Sequence, residues 1–259
     1  MKGRAIVVVP TYNERANLES LVDSVLGHNK AVDVLIVDDN SPDGTGEIAD
    51  QLAERHSGVY VLHRTEKNGL GRAYCDGFAW ALGRDYEFLL EMDGDFSHDP
   101  KDIGRFIEAA AETDLVIGSR YRDGIRVINW PLNRLVLSLC AAKYVQFITG
   151  MPFTDPTGGF KCFRRTTLEG IDLAQVRSNG YSFQIELTHQ VWRRGLRVKE
   201  IPIIFTDRFQ GSSKMSKAII REALIVVWQL LFRNGLRRCP NPRAVAEQEQ
   251  AQARSYPGG

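Results

Sequence analysis

Short apolar runs rich in Val, Ile and Leu alternate with amphipathic stretches through the first 120 residues. The runs are RAIVVV (4–9), VDVLIVDD (32–39), VYVLHR (59–64), YEFLLEMD (86–93) and DLVIGSR (114–120). Near-continuous apolar runs of this length suit strands buried on both faces. Between them, helical spacing occupies roughly residues 15–28, 44–56, 70–83 and 100–112. This rhythm predicts an α/β fold: a mostly parallel central sheet flanked by helices. In such sheets ligands sit beyond the carboxyl ends of the strands. PTYNE, DDNSPDG, RTEKNGLG and DGDFSHDP each follow a strand, so all four should line one edge.

After residue 125 the pattern changes. NWPLNRLVLSLCAAKYVQFITG (129–150) reads as a helix and TDPTGGFKCFRR (154–165) as a loop entering a strand. SFQIELTHQVWRRG (182–195) reads as a helix, VKEIPIIFTDRF (198–209) as one strand, and 213–235 as a long helix. No linker composition separates the halves, so 1–238 is expected to form one domain with apolar C-terminal helices. Residues 239–259 are polar, lack apolar periodicity and are expected to be a disordered tail.

The 259 residues are 43% hydrophobic and 25% charged, which suits a soluble globular chain. The net charge of +1 hides an asymmetry. Residues 1–100 hold 9 Lys+Arg against 18 Asp+Glu, and residues 101–259 hold 24 against 14. A basic half facing an acidic half suits anionic ligands or an anionic membrane. Nothing interleaves aromatic and basic residues as nucleic-acid binders do, so no nucleic-acid partner is expected. Four scattered cysteines without CxxC spacing point to a reducing compartment rather than a disulfide framework or zinc site. The opening MKGRAIVVVPTYNE is too short in its apolar run to read as a signal peptide.

Asp93 and Asp95 end the fourth run. Aspartate is disfavoured within strands, and two close carboxylates repel unless a cation lies between them. An EF-hand loop would need Gly and Glu where His98 and Gly104 stand, so a calcium loop is excluded. An acidic turn and a site for a divalent ion with its phosphate cargo both remain. GTGEIA (44–49) carries the letters of a dinucleotide fingerprint, but it follows its strand through a long turn and reads better as a helix start. No P-loop occurs, and the five histidines show neither zinc nor triad spacing.

Taken in order, PTYNE (10–14), VDDNSPDGT (37–45), NGLGRAY (68–74), MDGD-x-SH (92–98), IGSRY (117–121) and NWP-x-NR-x-x-LS (129–138) form an ordered set. DPTGGFKCFRR (155–165), GYSFQIEL (180–187) and FTDRFQGSSKMS (205–216) complete it. The set resembles the polyprenol (dolichol) phosphate mannosyltransferases of inverting glycosyltransferase family 2 and covers about residues 4 to 235. The resemblance implies a GT-A nucleotide-sugar-binding fold and inverting transfer of mannose from GDP-mannose to a polyprenyl monophosphate. By the same resemblance Pro10, Tyr12, Glu14, Val37 and Asp39 would hold the guanosine. Asp93, Gly94 and Asp95 would hold the diphosphate's Mg²⁺ or Mn²⁺ and the sugar. Ser97, standing where some members carry glutamine, would complete the metal ligands. Arg120, Arg134, Arg208 and Lys214 match cations that face the phosphates. The partners implied are GDP-mannose, the lipid phosphate, a membrane surface and, as an option, a separate membrane-anchoring protein. The protein would then sit peripherally on the cytoplasmic face of a membrane.

Many relatives carry transmembrane helices, whereas ALIVVWQLLF (223–232) is half the roughly 20 residues needed to span. It and LVLSLCAAKYVQF (135–147) either pack in the core or lie at a bilayer. Three other readings stay open: a glucosyl or other sugar transferase of the same family, a nicotinamide-dependent oxidoreductase using GTGEIA, and a catalytically idle lipid-binding module.

Overall fold

The computed structural model describes residues 3–29, 31–176, 178, 180–207, 225–230 and 232. The first half runs β1 (Ala5–Thr11), α1 (Leu18–His28), β2 (Val32–Asp38), α2 (Thr45–Arg55), β3 (Val59–His63), α3 (Leu70–Leu82) and β4 (Phe88–Glu91). A 3-10 turn (Pro100–Asp102) leads into α4 (Ile103–Ala110), followed by β5 (Leu115–Ser119). These match the predicted runs, with each helix lying within its amphipathic stretch. Residues Ala5 to Val9 are all buried, the reason this strand reads apolar without alternation.

The second half contains β6 (Val127–Ile128), α5 (Leu132–Thr149), β7 (Lys161–Arg164), α6 (Arg165–Glu169), α7 (Gly180–Arg193), β8 (Val198–Pro202) and β9 (Phe205–Thr206). The main sheet has the order β3-β2-β1-β4-β7-β5-β8, and β7 is its antiparallel strand, inserted between β4 and β5. Pairing between strands so distant in sequence leaves no local signature, so the sequence predicted β7 but not its neighbours or direction. VKEIPIIFTDRF was expected as one strand and divides instead. Pro202 ends β8 on the sheet edge, where its missing N–H costs no ladder bond. The chain then crosses to pair β9 with β6 in a small separate sheet.

One core lies on each face of the main sheet. Ile6, Val8, Leu35 and Val37 point toward α3 and α7; Val7, Val9, Val34 and Ile36 point toward α1, α2 and α4. Gly77 lets α3 lie directly on the sheet, since a Cβ there would stand 2.5 Å from a Val8 methyl. In the stretch expected to pack in the core or meet a bilayer, residues 225–230 are helical. Val227 and Leu230 join the core on the α3 and α7 face of the sheet, while Ile225, Trp228 and Phe232 are exposed. The tail at 239–259 lies outside the described residues.

Candidate active site

The carboxyl ends of β1 to β4 do converge. After β2 and β3 are laid to one side of β1, the chain returns to place β4 on the other side. The resulting crevice between β1 and β4 is where open α/β sheets bind ligands. Backbone and side chains tie the loops together. The Asn13 N–H donates to Ser41 Oγ (3.1 Å), Glu14 N–H to Thr45 Oγ1 (3.0 Å), Asp39 N–H to Thr11 O (3.0 Å) and Asn40 Nδ2 to Thr65 O (3.3 Å). Gly94 meets Pro10 across the crevice: a Cβ on Gly94 would lie 3.5 Å from the Pro10 carbonyl and 3.7 Å from Glu14 Cγ.

On the β1–β2 side, Tyr12 presents an exposed ring whose face lies 3.5 Å from Lys67 Nζ. Asp39 is buried and paired with Arg64, which also holds Asp76 at 2.9 Å. Burial lifts the Asp39 carboxyl above its ordinary pKa despite the opposing pull of Arg64. Glu14 accepts from Asn17 Nδ2 at 2.9 Å. The Val37 side chain belongs wholly to the core, so only its backbone can meet a nucleotide. Lys67 and Arg64 escaped sequence reasoning, although both stand in the loop cluster RTEKNGLG.

The acidic turn follows β4. Phe96 takes φ +61°, a left-handed conformation rare for a bulky side chain, and such outliers cluster at functional sites. Asp95 Oδ1 accepts the Ser97 N–H at 3.1 Å. Asp93 is anchored twice: its N–H donates to His98 Nδ1 at 3.2 Å and its Oδ1 accepts from Tyr74 Oη–H at 3.2 Å. His98 is fully buried, and that burial pushes its pKa down to about 4. The ring is therefore neutral, with its proton on Nε2 so that Nδ1 can accept. Below the turn, in register across β4 and β7, Glu91 and Lys161 are both completely buried, with Oε1 and Nζ 3.5 Å apart. Gln184 of α7 bonds both of them. Burial lifts Glu91 to about 7 against the pull of Lys161.

Because β7 is antiparallel, the loop DPTGGF enters at this same edge. A Cβ on Gly159 would stand 3.7 Å from Asp93 Oδ2. Asp155 of this loop takes the Arg120 guanidinium in a bidentate pair, Nε to Oδ2 at 2.7 Å and Nη2 to Oδ1 at 2.6 Å. Arg134 pairs with Asp207 at 2.7 Å and lies 4.2 Å from the centre of the Trp130 ring. Both arginines are thus brought near the loops at the site edge, each held by a carboxylate of the protein. Arg208 and Lys214 lie outside the described residues. Asp155, Tyr74 and His98 are the residues a motif reading underused: their roles are contacts between distant elements.

Among the described residues no three His, Cys, Asp or Glu side chains gather to hold a metal. The turn offers two carboxylates and the buried Ser97 Oγ, which has no hydrogen-bond partner. An all-oxygen, incomplete set of this kind fits Mg²⁺ or Mn²⁺, which keep places for substrate oxygens and water. The dinucleotide reading of GTGEIA fares worse. Asp43 stands just before the start of α2, its Oδ1 accepting the Thr45 N–H at 3.1 Å. Burial raises its pKa, but the Thr45 and Arg15 hydrogen bonds outweigh this and lower it, leaving an anion where a pyrophosphate would sit.

The model of the family described as glycosyl transferase family 2 matches residues 6–171. The chain is 49% identical over 237 residues to a polyprenol monophosphomannose synthase of Mycolicibacterium smegmatis, covering 91% of this chain and 89% of that protein. It is 44% identical to an undecaprenyl-phosphate mannosyltransferase of Micrococcus luteus, covering 90% and 98% respectively. Among solved structures, glucosyl-3-phosphoglycerate synthase of Mycobacterium tuberculosis, in complex with Mn²⁺, UDP and glucosyl-3-phosphoglycerate, aligns with TM-score 0.65 at 18% identity. The alignment covers 92% of this chain and 80% of that one. A mannosyltransferase of Pyrobaculum calidifontis in complex with GDP-Man and Mn²⁺ aligns with TM-score 0.56 at 18% identity, covering 98% and 81%. Both have the GT-A type of sheet described above.

Proposed function

The chain belongs to glycosyl transferase family 2, and from that premise we propose that it transfers mannose from GDP-mannose to a polyprenyl monophosphate. The product is a polyprenyl-phospho-β-mannose, released with GDP. The names of the two similar sequences support the sugar and the lipid class. One observation in the structure carries the reading: Asp93-Gly94-Asp95 faces Pro10 and Glu14 across the crevice between β1 and β4.

In this proposal Tyr12 and Asp39 receive the guanosine, the ring offering a stacking face and the carboxylate an acceptor for base or ribose donors. Asp93, Asp95 and Ser97 would hold a Mg²⁺ or Mn²⁺, which would supply neutralising charge to the donor diphosphate. The acceptor phosphate is mostly dianionic near neutral pH, its second pKa being about 6. It therefore needs no base. It needs positioning and relief from repulsion, which Arg134, Arg208 and Lys214 supply, with Arg120 supporting from its Asp155 pair. Attack at the anomeric carbon inverts the sugar from α to β.

The lipid approaches along α5. Leu132, Val136, Cys140 and Phe147 fall on one exposed stripe of this helix together with Lys143, and Ile128 and Ile204 are exposed nearby. No helix among the described residues is long and apolar enough to cross a membrane. We assign the stripe to peripheral contact with the cytoplasmic face of a membrane. Residues 1–238 would form the catalytic unit.

Thermal-shift measurement with GDP, UDP and NADH, each with and without Mn²⁺, tests the donor. Stabilisation by GDP that requires the metal is expected, and stabilisation by NADH alone would overturn the reading. Transfer from GDP-mannose, but not from a glucose donor, to a short-chain polyprenyl phosphate separates the mannosyl from the glucosyl alternative.

A further inference from the structure

We infer that Tyr74 and His98 are positioning residues for Asp93, fixing the carboxylate that the proposed metal and diphosphate site depends on. The inference rests on that reading and extends it to two residues that touch neither nucleotide nor sugar.

Tyr74 is completely buried in the core between α3 and α7. Its ring stacks on Phe183 (5.8 Å between centroids, 3° between planes) and on Phe78 (6.1 Å). A phenylalanine would fill that slot without a polar atom to satisfy, so the hydroxyl requires a reason. Its partner is Asp93 Oδ1. The clamped ring sets the hydroxyl's position by core packing, so the donor waits in place instead of swinging in from solvent.

His98 acts on the other side of the same residue. Its Nδ1 accepts the Asp93 N–H. The ring stacks on Phe160 at 5.0 Å and abuts Phe205 edge-on at 5.4 Å. One anchor holds the Asp93 backbone and the other its carboxylate, and both anchors are immobilised by aromatic neighbours. Groups that orient metal-binding carboxylates in this way set the affinity of the site, and their loss typically costs about 10–100-fold.

The experiment is a Mn²⁺ titration of the full chain at saturating GDP, read as the rise in melting temperature. Tyr74→Phe should raise the half-saturating Mn²⁺ concentration about tenfold or more, with the full shift recovered at high Mn²⁺. Tyr86→Phe is the matched control: it also removes a phenol that donates to an aspartate (Asp33, 2.7 Å), and it stands away from the site edge. It should leave the midpoint where wild type has it. His98→Asn, whose Oδ1 can accept in place of Nδ1, should retain most of the affinity that His98→Leu loses. An unchanged midpoint in Tyr74→Phe, or an equal displacement in Tyr86→Phe, overturns the Tyr74 assignment. Equal midpoints in His98→Asn and His98→Leu overturn the His98 assignment. Wild type showing no Mn²⁺-dependent shift with GDP would instead sink the metal and diphosphate reading, before any variant is compared.

Discussion

Arg120 and Asp155 meet fork to fork in the protein interior, joining the end of β5 to the loop that feeds the antiparallel strand β7. Asp155 also accepts the Arg120 N–H at 3.0 Å, and its own N–H donates to Glu200 on β8 at 2.9 Å. Breaking a buried pair by removing one member strands the other charge, at about 3–5 kcal/mol. Asp155→Ala should therefore destabilise by that order. The double variant Arg120→Leu/Asp155→Leu should cost less than Asp155→Ala alone. Urea unfolding of the three proteins checks both statements.

Asp95→Asn keeps the shape of the turn and removes its charge. Metal-dependent stabilisation by GDP should vanish and transfer should fall by about 10²–10³-fold, the scale at which lost transition-state charge stabilisation is felt. Its melting temperature without ligands should stay near wild type. Near wild-type turnover would remove Asp95 from the metal site.

Lys214→Ala and Arg208→Ala should lower kcat far more than they weaken GDP binding, if these cations act as charge shifts onto the leaving diphosphate. Arg208→Lys should not restore the rate fully, because the bidentate fork is lost. Steady-state kinetics with GDP-mannose and a short-chain polyprenyl phosphate decide it; unchanged kcat in both alanine variants contradicts the assignment.

His189 lies buried in α7 beside a cavity of about 270 Å³ whose walls include Asp172, Glu186, Arg193 and Arg194. Burial, with a smaller push from Arg193, lowers its pKa from 6.5 to about 4. The folded value lies below the unfolded one, so between these pH values the unfolded chain binds more protons. The stability contribution is complete above pH 6.5 and is lost as pH falls toward 4, by up to about 3 kcal/mol at 1.36 kcal/mol per unit. His189→Leu should flatten the decline in urea midpoint between pH 6.5 and 4 compared with wild type. An identical slope would show that this imidazole does not titrate as its burial dictates.

Leu132→Glu with Val136→Glu places charge on the exposed stripe of α5 without touching the core. Sedimentation with anionic vesicles should show markedly weaker binding, while turnover of a detergent-solubilised short-chain acceptor stays within about twofold, since exposed sites like these carry little stability. Undiminished vesicle binding would move the lipid contact elsewhere.

The strands and helices of the first half were legible in the sequence because each is specified locally. A run such as VLIV has to be buried on both faces, and the polar cluster after it has to leave the sheet at the carboxyl edge. From this alone came the convergence of PTYNE, DDNSPDG and DGDFSH on one crevice, and with it the acidic pair Asp93 and Asp95. The direction and neighbours of β7, the division of VKEIPIIFTDRF between two sheets and the Arg120–Asp155 pair were decided only by tertiary structure. So were the contacts that Tyr74 and His98 make with Asp93. Each depends on contacts between residues tens of positions apart, or on which way a side chain turns inside a packed core. Periodicity and propensity act over a few residues and contain no record of either.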